Sequence, residues 1–93
     1  MIVTRHFVIH GHVQGVGYRY AMVIAAKNAG IQGWVRNCSD GTVEAIVQGT
    51  SEAIQTITAW AKTGPSPASV TELNDVEEKD SKTYIDFLQY PTL

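Results

Sequence analysis

With one cysteine in 93 residues, Cys38, the chain has no partner for an internal disulfide, which excludes the stapled framework of a small secreted domain. It also lacks a dominant charge. A formal net charge of -2 and a pI near 5.8 provide no broad attraction to a nucleic-acid backbone or an acidic membrane surface, so any anion must be captured locally. No long apolar run is present: Met1 to His10 carries Arg5 and His6 and meets glycine at once, which suits neither a secretory segment nor a spanning helix and gives a cytoplasmic expectation. Repeats, low-complexity tracts, heptads and long apolar patches are missing as well, and the simplest expectation is a monomer. What the chain does contain is 44% hydrophobic and 17% charged residues, eight glycines and three prolines, the composition of a chain that folds alone. Its length allows one core and no linker, hence a single domain over residues 1–93.

Val3 to His10, rich in β-branched and aromatic residues, reads as a strand ending at Gly11. Glycines at 11, 15 and 17 form a loop, and Arg19 to Ala29 reads as a helix with Ala21, Met22, Ala25 and Ala29 on one face and Gly30 at its C-terminal cap. Ile31 to Arg36 and Thr42 to Gln48 flank an Asp-Gly turn as a hairpin. Thr50 and Ser51 are candidate caps for a second helix, with Ile54, Ile57 and Ala61 inward and Gly64-Pro65 as its stop. Val70 to Glu77 and Tyr84 to Tyr90 are strand-like, and the charged stretch Glu78 to Lys82 between them reads as a solvated turn. The order β-α-β-β-α-β, with an extra C-terminal strand, is a split βαβ arrangement. It implies an α+β sandwich: an antiparallel sheet of four to five strands with two helices on one face.

Gly11 to Arg19, Gly-His-Val-Gln-Gly-Val-Gly-Tyr-Arg, delivers a strand into a helix start with three properties of an oxyanion site. Gly15 and Gly17 can take positive φ and curl successive N–H groups into a nest. The helix N-terminus beyond offers free amides and the positive end of its dipole. Arg19 is permanently charged and can grip two phosphoryl oxygens. No Gly-Lys-Ser/Thr and no third glycine at dinucleotide-fold spacing is present, so a nucleotide is not indicated. Spacing alone equally allows glycines that merely turn a strand into a helix.

The second segment, Gly33 to Gly41, places Asn37 at a strand end, where a turn asparagine bonding its own backbone is the plainer reading. Trp34 and Trp60 read as packing residues, and Cys38 as inert packing. His6 and His10 are four apart on a strand, about 13 Å, which disfavours a shared zinc; His12 lies inside the loop, where both contact with a substrate and a plain solvent-facing role are open. Thr42 to Gln48 has no aromatics on which bases would stack, which disfavours RNA.

Taken together, the segments Gly11 to Arg19 and Gly33 to Glu44 resemble the signatures of the acylphosphatase family, and Gln48-Gly49, Gly64-Pro65 and the C-terminal strand extend the resemblance over nearly the whole chain. The resemblance implies a ferredoxin-like fold and hydrolysis of the carboxyl-phosphate bond of acyl phosphates without metal or cofactor. It makes Arg19 the phosphate-binding arginine and Asn37 the asparagine that positions the attacking water. Gln14, Gly15, Val16, Gly17 and Tyr18 become the backbone cradle. Cys38 departs from the threonine of the animal enzymes.

The chemistry suits these residues. No Ser-His-Asp set or carboxylate pair stands near the loop, but a carboxylate leaving group of pKa about 4 to 5 hardly needs a general acid. Phosphoryl transfer asks mainly for positioning and charge stabilisation. The rival from another class is a non-catalytic anion-binding or regulatory module of the same fold. A chain that opens on Met1 and closes soon after its last strand suits a stand-alone enzyme, with a small-molecule acyl phosphate as its partner and neither nucleic acid nor membrane.

Overall fold

The computed structural model describes residues 1–79 and 82–93. Its elements run β1 (Ile2–His12), α1 (Tyr18–Ala29), β2 (Gln32–Asn37), β3 (Val43–Thr50), α2 (Ser51–Thr63), β4 (Ser69–Glu77) and β5 (Phe87–Gln89). The strands form one sheet in the order β4-β1-β3-β2-β5. β1 pairs antiparallel with both β3 and β4, and β2 pairs antiparallel with β3.

The expected antiparallel sheet therefore holds for four strands and fails at the fifth. β5 lies parallel to β2, with Gly33 opposite Phe87 and Val35 opposite Gln89, so the sheet is mixed. After β4, at one edge, the chain crosses to the opposite edge and enters beside β2 running the same way. The strand is also shorter than the run from Tyr84 to Tyr90, because the Tyr84 amide bonds a side chain rather than a neighbouring strand. Gln48, buried on β3, accepts that bond on Oε1 at 2.9 Å, while its Nε2 donates to Thr4 Oγ1 at 3.0 Å and to the Lys82 carbonyl at 2.9 Å. Of the expected solvated turn over 78–82, residues 80 and 81 lie outside the described residues, and Lys82 is held by Gln48.

Alternation builds the core. Phe7 and Ile9 of β1, Val35 of β2, Val43, Ala45 and Val47 of β3 and Phe87 of β5 turn to one face, where the helices cover them. α2 buries Ile54, Ile57 and Ala61 as its spacing predicts, and Thr50 caps it by accepting the Ala53 amide at 3.1 Å. α1 is rotated from the expected alanine face: Tyr18, Met22 and Ala26 are buried, with Ala25 and Ala29 on the flank. The larger side chains set this rotation, since burying Tyr18 and Met22 removes far more apolar surface from water than burying alanines. The Tyr18 hydroxyl donates to the Ala61 carbonyl at 2.8 Å and its ring tilts against Trp60, with centroids 5.2 Å apart, so one residue fastens α1 to α2.

Substituting Gln48 by Ala removes partners from three groups at the crossover, and leaving a buried polar group unsatisfied costs about 1–3 kcal/mol. The expected outcome is a urea midpoint lowered by that order, with faster hydrogen exchange at the Tyr84 amide than in the parent.

Candidate active site

β1 ends at His12 and α1 begins at Tyr18, leaving a short loop in which Gly15 and Gly17 both adopt left-handed backbone, φ +75° and +79°. A Cβ at either position would meet nothing within 4 Å. Glycine is needed there for the backbone conformation and for an open approach to the amides. Gly17 is also the N-cap of α1 and supplies no side-chain cap; the first intrahelical bond runs from the Ala21 amide to its carbonyl at 3.0 Å. The amides of Tyr18, Arg19 and Tyr20 precede it and have no carbonyl one turn back. With no acidic residue in the first turn, the positive end of the helix dipole is open to an external anion.

At this helix start lies a cavity of about 120 Å³. Gly15 and Gly17 line it from the loop, Tyr18 and Arg19 from the first turn of α1, and Asn37 from the end of β2. Five of the residues singled out in the sequence are thus brought to one wall. Gln14 and Val16 share the loop but turn their side chains elsewhere. Gln14 Nε2 donates to the carbonyls of Cys38 and Thr42, both at 2.8 Å, and Val16 packs against the core. The Tyr18 ring is in the core, where burial pushes its phenol above the ordinary value, so only its backbone is offered to the cavity. Val13, Tyr20 and Gln89 also line the cavity and were not singled out. For Gln89 a signal existed: it stands two residues after buried Phe87 on the same strand, hence on the same face.

Asn37 is 9% exposed, and its Oδ1 is buried with no hydrogen-bond partner among the described residues. The turn asparagine of the plainer reading would have spent that oxygen on its own backbone. Asp40 takes the turn role instead, its Oδ1 accepting the Thr42 amide at 3.0 Å and the Thr42 hydroxyl at 2.7 Å. Those two bonds hold the Asp40 carboxyl below its usual range. A buried carbonyl oxygen left without a donor is costly, and in a polar cavity a water or ligand O–H is the group that satisfies it. Arg19, half-buried on the same wall, has no ion-pair partner among the described residues. Among the described residues the lining holds one cation and no carboxylate, which fits an anion.

The histidines stand apart. His6 pairs with Glu44 at 2.6 Å and His10 with Asn74 at 2.7 Å, and among the described residues no group of three or more His, Cys, Asp or Glu is placed to hold a metal ion. Glu44 alternates with core residues Val43 and Ala45, so it faces the side of the sheet away from the helices. There its Oε1 also accepts from Arg36 Nε at 2.8 Å and, weakly, from Cys38 Sγ at 3.8 Å. Trp34 stacks on Tyr90 beneath Arg36, and Trp60 packs at a tilt against Tyr18, so both indoles are packing residues.

Burial pushes the Glu44 carboxyl up, but the hydrogen bonds from His6 and Arg36 outweigh it and leave the group below its ordinary value of 4.5. With the folded value depressed, the unfolded chain takes up the proton first as pH falls. The stability from this pair of bonds is therefore full above pH 4.5 and lost as pH drops through the folded value. Chemical denaturation across that range is expected to show a shallower acid-side loss in Glu44→Gln than in the parent.

The acylphosphatase family model matches residues 5–88. An acylphosphatase from an Acidovorax species is 53% identical over 76 residues, covering 82% of this chain and 77% of the relative. One from Bordetella parapertussis is 45% identical over 86 residues, 92% of each. The structure of an acylphosphatase from Coxiella burnetii superposes with a TM-score of 0.91 at 32% identity, covering 96% of this chain and 93% of the other. With a family match across most of its length and an acylphosphatase structure superposing on nearly all of it, this chain belongs to the acylphosphatase family.

Proposed function

We propose that this chain, acting as a single domain over residues 1–93, hydrolyses the carboxyl-phosphate bond of acyl phosphates, with Arg19 and the amides of the 14–18 loop holding the phosphoryl group and Asn37 positioning the attacking water. The observation that carries the reading is the buried Asn37 Oδ1, without a partner among the described residues, on the same small cavity as an Arg19 with no ion pair among them and an uncapped helix start. An anion site alone would need the last two features; it has no use for the first.

The substrate's phosphoryl oxygens take the amides and the guanidinium fork, which neutralise charge without reorganising as the reaction proceeds. Asn37 Oδ1 accepts one O–H of a water and turns its lone pair toward phosphorus. The water oxygen bonds to phosphorus as the bond from phosphorus to the acyl oxygen breaks, and the electron pair leaves with a carboxylate. One of the water's protons passes to a phosphoryl oxygen and the other stays on the new P–OH, giving dihydrogen phosphate. A leaving group this acidic, with pKa about 4 to 5, departs without a general acid, which suits a cavity lined by no carboxylate or histidine among the described residues. The work is positioning and charge stabilisation.

Hydrolysis of benzoyl phosphate, followed by absorbance in excess EDTA, tests the reading. The parent is expected to turn over, and Asn37→Ala to lose on the order of 10²–10³ in kcat, the scale seen when one positioned polar group is removed. Phosphate inhibition is expected to persist in that variant. An active Asn37→Ala protein would overturn the water-positioning role. No turnover in the parent, with inorganic phosphate still bound, would leave an anion-binding module.

Arg19→Ala is expected to lose phosphate inhibition and turnover together. Arg19→Lys is expected to fail as well, because an ammonium point charge does not reproduce the two-oxygen grip. A lysine variant within threefold of the parent in kcat/KM would show that charge alone suffices.

A further inference from the structure

The proposed chemistry fixes the phosphoryl group but says nothing of the acyl group, and of the lining residues the mechanism does not use, Val13, Tyr20 and Gln89, one is an exposed aromatic. Tyr20 sits in the first turn of α1, next to Arg19, lines the cavity and is 70% exposed. Elsewhere the aromatic rings are occupied: Tyr18 lies against Trp60, Trp34 lies between Tyr90 and Arg36, and Tyr84 faces the Lys82 ammonium. Tyr20 makes no ring contact, cation contact or side-chain hydrogen bond with the described residues. An exposed, unpartnered aromatic at the rim of a small polar cavity loses nothing by folding and has its face free.

In-line displacement gives this placement a direction. The attacking water and the leaving oxygen stand on opposite sides of phosphorus. Asn37, 9% exposed, holds the water on the buried side, so the leaving acyl group points toward the open side, where Tyr20 stands. A planar, conjugated acyl group passing that rim meets the phenol face, whereas a methyl-sized acyl group is too small to cover it. We infer that Tyr20 is a specificity-determining residue that favours aromatic and other planar acyl phosphates over small aliphatic ones. This rests on the reading of the same cavity as an acyl-phosphate site.

The measurement is the ratio of kcat/KM for benzoyl phosphate to that for acetyl phosphate, in the parent, Tyr20→Ala and Tyr20→Phe. A ring-on-ring contact is worth about 0.5–1.5 kcal/mol, which is about 2- to 12-fold in that ratio. The ratio is expected to fall by this factor in Tyr20→Ala and to hold in Tyr20→Phe, since the ring and not the hydroxyl makes the contact. Intrinsic reactivity of the two substrates cancels between proteins, and a merely structural defect lowers both rates together and leaves the ratio in place. A ratio within 1.5-fold of the parent in Tyr20→Ala, with turnover of both substrates intact in the parent, overturns the inference about Tyr20 alone. A parent that hydrolyses neither substrate overturns the reading on which it rests.

Discussion

β1 and β2 run the same way because each is antiparallel to β3 between them, and this constraint decides where everything else can meet. Their C-terminal ends must fall at one edge of the sheet, the edge where β3 begins. The register makes it concrete: Val43 of β3 stands opposite Ile9 on one side and opposite Asn37 on the other. Two strand spacings, about 10 Å, therefore separate the root of the glycine loop from the asparagine. Gln14 spans the remaining gap, its carboxamide bonding both carbonyls that flank the β2–β3 turn. A loop that could otherwise drift is tied to the strand end carrying Asn37. In the same way the Leu93 amide donates to the Asn37 carbonyl at 3.0 Å, so that residue's backbone is fixed from both directions.

Against this rigid frame, the site itself is deliberately unfinished. The first turn of α1 has no cap, Arg19 has no counter-ion among the described residues, and the Asn37 oxygen has no donor. Each omission costs stability in the free protein, and under the proposed function each is recovered when an anion and its water arrive. Tyr18 shows how the two demands are kept apart. Its backbone is part of the unfinished helix start, while its side chain is fully committed to the core through Trp60 and the Ala61 carbonyl. The uncapped helix end is anchored by the residue that begins it.

Much of this was legible in the sequence where chemistry is local. Glycines before a helix start, an arginine in its first turn and an asparagine at a strand end are each readable, and the resemblance to acylphosphatases joined segments that spacing alone left ambiguous. What escaped was set by packing at a distance. An alanine-rich helix has no strong stripe, so its rotation was decided by Tyr18 and Met22 rather than by Ala21, Ala25 and Ala29. The parallel direction of β5 depends on a crossover pinned by Gln48, a bond between residues 34 and 36 positions apart. Gln14 was expected in the cradle through its backbone, but its side chain proves to be the tie to the β2–β3 turn, which no local pattern announces.

The small net charge acquires meaning from how the cations are spent. Arg5 is paired with Asp75 at 2.7 Å, Arg36 with Glu44 at 2.8 Å, and the His6 ring also lies on Glu44. These pairs cancel locally, on the flank and on the far face of the sheet, and contribute little field at the helix start. Among the described residues Arg19 is left uncancelled there, in a partly dehydrated cavity where a charge acts more strongly than in water. A strongly basic chain would attract polyanions over its whole surface. Pairing Arg5 and Arg36 with carboxylates, beside an Arg19 that has no such partner among the described residues, concentrates the attraction for an anion at this one cavity.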